Sequence, residues 1–166
     1  QASPSINRLC RKLLFPLYPT LAKDQVLLRT LTDKSWYRNN KIHRAAFQLR
    51  RNEPSLSLFF QKRAATRLQD PIFGFFRVLV GNVEDIVGLS EEKLIVVQDE
   101  ALHAGIVGIP NPIGVSSIEE KEILQRERNR TAQSLADRAS KLLDYDGKGY
   151  HSSIHANEPD IIYNFD

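Results

Sequence analysis

The chain is poor in the residues that carry the commonest dedicated chemistries. Its 166 residues include one cysteine, Cys10. A lone cysteine excludes an internal disulfide and a cysteine-based zinc site, and a reducing compartment is the natural expectation. Cys10 lies in Arg8-Leu9-Cys10-Arg11-Lys12, where neighbouring cations would lower its pKa, although packing is the ordinary use of so small a side chain. There is no methionine, even at position 1, which is what removal of an initiator or trimming leaves. No apolar run approaches the ~18 residues of a membrane span. Gln1-Ala2-Ser3-Pro4 lacks the basic-then-apolar order of a secretory leader, so a soluble cytoplasmic protein is expected. Also absent are a Gly-rich phosphate loop, His-Glu-x-x-His, Gly-x-Ser-x-Gly and a paired Cys-x-x-Cys. These absences argue against a nucleoside triphosphatase, a zinc protease and an α/β-hydrolase.

What is present is ordinary for a globular domain: 42% hydrophobic and 26% charged residues, enough for a core without staples. The net charge of +3 and the pI near 9.1 tolerate an anionic partner without demanding one.

Ile6, Leu9, Cys10, Leu13 and Leu14 recur at helical spacing until Pro16 and Pro19. Residues 1–22 therefore read as a helical extension. The core domain is expected over 23–144. Strands are predicted over 25–31, 42–49, 55–60, 73–80, 93–98 and 102–109, and short helices over 61–70 and 83–89, the latter capped by Asn82. Asp99-Glu100-Ala101 is short enough to close a hairpin. Ser116 and Ser117, each followed three residues on by a glutamate, predict the start of a long helix over 118–143. Its apolar stripe runs through Leu124, Ala132, Leu135, Ala139, Leu142 and Leu143. Residues 145–166 read as a polar tail or arm that Ile161, Ile162, Tyr163 and Phe165 could anchor. The expected fold is α+β: a single mixed, largely antiparallel sheet of about six strands with a long C-terminal helix packed on it.

Few residues stand out as chemistry. His151 and His155 stand four apart, but no acid or cysteine nearby completes a metal set, and no metal is expected. His103 opens an apolar strand just after Asp99 and Glu100, which could hold its imidazole. It is the candidate general acid or base. Arg29, His43 and Arg44 fall on the first two predicted strands, where the solvent face is the ordinary place for a charge. Arg50, Arg51, Arg126, Arg128 and Arg130 could form a basic face that meets phosphate; otherwise they are a solvated surface.

Arg29, then Ser55-Leu56-Ser57, then Gln98-Asp99-Glu100 stand in an order that resembles ADP-ribosyltransferases of the arginine–serine–glutamate type. The resemblance implies NAD, with Arg29 and Ser57 orienting its pyrophosphate and nicotinamide ribose. Glu100 would stabilise the oxocarbenium-like charge that develops as nicotinamide leaves. A second resemblance spans residues 26–143. Ala45-Ala46-Phe47, Ser55-Leu56-Ser57-Leu58 and His103-Ala104-Gly105-Ile106-Val107-Gly108 occur in the order found in small bacterial single-domain proteins. It implies a compact domain of bacterial type and names no substrate; the N-terminal helix and the polar tail are additions to it.

Two classes of function follow. One is an accessory or interaction protein that binds a larger protein partner or nucleic acid, with no membrane. The alternative is an enzyme acting on NAD or nucleic acid, such as a toxin or defence effector, with Arg29, Ser57, Glu100 and His103 converging on one cleft.

Overall fold

The computed structural model describes residues 21–50, 53–60, 73–88 and 91–141. The N-terminal extension, the helix expected over 61–70 and the tail lie outside these residues, as do Cys10, Arg51, His151 and His155. Short runs of β-branched and aromatic residues form the strands. They are β1 (Val26–Leu31), β4 (Leu56–Phe59), β5 (Gly74–Leu79), β6 (Ile95–Glu100) and β7 (His103–Val107), with the two-residue strand β8 (Ser140–Lys141). Together they make one six-stranded sheet in the order β6-β7-β4-β1-β5-β8, every pair antiparallel. A separate hairpin joins β2 (Tyr37–Arg38) to β3 (Lys41–Ile42) through Asn39 and Asn40, both at positive φ, as a two-residue turn matched to strand twist requires.

Among the described residues the α-helices are α1 (Val80–Glu84) and α2 (Ile118–Arg138). Ser117 caps α2 by accepting from the backbone N–H of Glu120, and Glu119 and Glu120 occupy the positive first turn. Among the described residues no helix is long and apolar enough to cross a membrane.

Strand alternation sorts the side chains onto two faces. Leu27 and Leu31, Leu56 and Leu58, Phe76 and Val78, Ala104 and Ile106, and Val96 share the face that packs with α2. Between sheet and helix lies a 3-10 turn, Arg44–Phe47, whose Ala46 and Phe47 are fully buried. The Phe47 and Phe76 rings meet at 6.1 Å. Ala132, Leu135 and Ala136 of α2 close this core, the two alanines letting the helix approach the turn. On the opposite face Leu28, Phe59, Phe75, Val97 and Val107 are buried as well.

Three elements differ from the sequence reading. The strand expected over 42–49 is the Arg44–Phe47 turn, because His43 Nδ1 accepts from the N–H of Ala45 and starts a helical turn. The helix expected from Val83 begins at Val80, with Asn82 inside it. Gly81 there donates to the carbonyl of Lys23, so close that a β-carbon would meet Lys23 at 3.1 Å. The long helix stops at Arg138 because Ser140 and Lys141 turn extended to pair with Arg77 and Phe76.

Candidate functional site

The β6–β7 hairpin brings three candidate side chains together, Asp99, Glu100 and His103. Its turn is Ala101-Leu102, with Leu102 at φ +63. A non-glycine residue there is strained by about 1–2 kcal/mol. Pairing runs in step from Ile95↔Val107 to Gln98↔Ala104, then slips so that Glu100 opposes His103. Asp99 is the extra residue of a β-bulge. A bulge sets two residues of one strand across from one of the other, so Asp99 and Glu100 both stand opposite His103.

Asp99 Oδ1 takes the imidazole at Nδ1. A carboxylate only accepts, so the proton of the neutral ring sits on Nδ1 and Nε2 becomes its basic nitrogen. From the other side Phe59 of β4 stands opposite His103, and the two rings meet edge to face at 5.2 Å and 74°. The ring is thus held by a carboxylate and an aromatic edge. The side chains of His103 and Asp99 remain 17% and 31% exposed, which leaves the pair in exchange with solvent.

Gly105, two residues along β7, keeps this surface close-packed. A β-carbon there would lie 2.6 Å from Ser55 Oγ, 2.9 Å from Ser55 Cβ and 3.9 Å from Asp99 Oδ2. Only a glycine lets β7 pass under Ser55 beside the dyad. Ser57 stands directly across from Gly105 and so shares the face of His103.

Of the four residues drawn from the sequence as catalytic, Ser57, Glu100 and His103 therefore share one face of the sheet. Arg29 does not share it. Its place is the buried face beside Leu27 and Leu31, not the solvent face expected of a charged strand residue. There its Nε donates to the carbonyl of Ala46 at 2.8 Å and Nη1 to the carbonyl of Ser57 at 2.9 Å. Arg29 thus meets Ser57 through the backbone and not through the hydroxyl. Burial pushes the guanidinium down from its ordinary value to about 10, with Glu53 opposing the shift and Arg50 adding to it. The arginine staples the 44–47 turn to β4.

The basic residues are mostly engaged by the protein itself. Arg50 pairs with Glu53 at 3.4 Å, Arg130 with Glu127, and Arg128 donates to the carbonyl of Leu49 at 3.3 Å. Arg126 is exposed. His43, an exposed residue, acts as the cap described above.

No protein-family model, curated protein or solved structure matches the chain. The site therefore has to be read from its own geometry. Among the described residues there is no group of three or more histidine, cysteine or acidic side chains that could hold a metal ion. The sequence suggested His103 with an upstream acid. It missed Phe59, Ser55 and Gly105, whose roles depend on cross-strand register.

Proposed function

We propose that the chain is an enzyme that works by general acid–base catalysis, with His103 as the proton-transferring group and Asp99 as its positioning residue. The observation that carries this reading is the bulge at Asp99, which aims a carboxylate at Nδ1 of a ring that keeps access to solvent. Bulges recur beside active sites because they re-aim one side chain without unfolding the strand. The strained Leu102 lies in the same turn.

The reaction class is hydrolysis of a phosphodiester or a related bond. Nε2 of His103 takes a proton from water, the resulting hydroxide adds to the electrophilic centre, and the imidazolium returns that proton to the departing oxygen. Glu100, exposed across from the same histidine, is a second acid within the site. The net charge of +3 is compatible with an anionic substrate, and nucleic acid is taken first and NAD second.

The test incubates the full chain with end-labelled RNA, single-stranded DNA and NAD, and compares it with Asp99→Asn and His103→Gln. Loss of ~10²-fold or more in rate in each variant is expected for a working acid–base pair. Cleavage that persists unchanged in both would overturn the proposal. A second reading, an accessory protein that docks a larger partner, is supported by Ile118 and Ile123, which are 74% and 46% exposed on α2. It takes precedence if none of the three substrates is turned over and a partner co-elutes with the chain.

A further inference from the structure

A second feature lies outside the β6–β7 hairpin. The loop from Pro112 to Val115 and the first three turns of α2 enclose an open cleft of ≈ 530 Å³, within the range of small-molecule sites. Its apolar lining is Ile113 and Val115 of the loop with Ile118 at the start of α2. Its polar lining includes Lys121, Gln125 and Arg128, which recur at helical spacing and so share one face of α2. Gly114, at φ +77 with open space where a β-carbon would stand, turns the loop ahead of α2.

Arg128 is the unusual member. Its Nη1 is tied to the carbonyl of Leu49, while its Nε is buried with no hydrogen-bond partner. Among the described residues it has no carboxylate partner, and burial pushes its pKa down with no opposing charge. An uncompensated guanidinium beside an apolar lining, with Lys121 on the same face, describes a receptor for one negative charge on an apolar body. Glu122 also lines the cleft, and Glu119 and Glu120 stand between its lining residues Ile118 and Lys121. Glu122 offsets one of the two cations of the lining, Lys121 and Arg128, which suits the cleft to a single negative charge and not to a phosphate backbone. Ile118, mostly exposed, gains cover only when something apolar fills the mouth.

We propose that this cleft binds a small organic monocarboxylate, its carboxylate on Arg128 and Lys121 and its apolar part against Ile113, Val115 and Ile118. This rests on none of the chemistry assigned to His103.

The test titrates the full chain with octanoate, octanol and inorganic phosphate, followed by calorimetry and by NMR shifts. Octanoate should bind saturably and shift Ile113, Ile118 and Arg128. Octanol should bind at least tenfold more weakly, and phosphate should leave those signals in place. Arg128→Met should weaken octanoate at least tenfold. Ile118→Ser should weaken it severalfold, and because Ile118 is exposed that variant tests the cleft even where Arg128→Met fails to fold. Absence of octanoate binding, equal binding of octanol or phosphate, or unchanged affinity in both variants would overturn the assignment.

Discussion

Arg29 shows how one side chain can serve the fold while standing next to a candidate site. It joins a turn 17 residues away to a strand 28 residues away, through two carbonyls that would otherwise lack this donor. Hydrogen bonds to a charged donor contribute ~1.5–3 kcal/mol each, and removing the donor leaves acceptors unsatisfied. Arg29→Met should therefore lower the unfolding free energy by several kcal/mol, on the order of 2–4, with little change in the denaturant m-value. Chemical denaturation checks this. The pH dependence has a definite sign. Arg29 has a pKa of about 10 in the fold, below its ordinary value, so between the two the unfolded chain holds more protons than the folded one. Stability from this group rises with pH across that window, and below it the burial cost is constant. Wild type should gain on Arg29→Met as denaturation curves are taken from pH 9 to 11.5. A gap that narrows with pH would contradict the assignment.

At the scale of elements, the outer edge of β6 is covered from within the chain. The N–H of Leu94 goes to the carbonyl of Ile86, and the N–H of Val96 goes to Glu84 Oε2 at 3.0 and 3.1 Å respectively. An uncovered edge strand is a template for another chain. Glu84→Ala should free the Val96 N–H and raise concentration-dependent association, seen as a higher apparent mass by light scattering at unchanged secondary structure. A variant that stays as monodisperse as wild type would count against this role for Glu84.

The same scale explains what the sequence made legible. β1, β4, β5, β6 and β7 and the start of α2 follow from runs of β-formers and from Ser117, because those signals are local. The 44–47 turn was missed because Ala46 and Phe47 look like a buried strand until His43 is seen to cap it. β8 could not be read at all: two residues, Ser140 and Lys141, are strand only because β5 lies beside them. The site divides in the same way. His103 and its upstream acids were legible as neighbours, whereas the bulge that selects Asp99 depends on register. The destination of Arg29 depends on segments far along the chain.

For the molecule as a whole, the order of the sheet fixes how its parts come together. β5 pairs with β1 and β8, which lie far from it in sequence, and β4 with β1 and β7. The β6–β7 hairpin, closed by the Ala101-Leu102 turn, is the one pair in this sheet whose strands are adjacent along the chain. Long-range pairings slow folding because loop closure precedes any reward from contacts, whereas a hairpin closes in about 1–10 μs. A kinetic experiment should then find Val97→Ala slowing refolding in proportion to the stability lost. Leu28→Ala, on a strand whose two partners are both distant along the chain, should act mainly on unfolding; equal partition in the two variants would refute the order. On that order the imidazole of His103 and the carboxylate of Asp99 are assembled early, by local closure, and every later strand arrives on a surface where the two already meet.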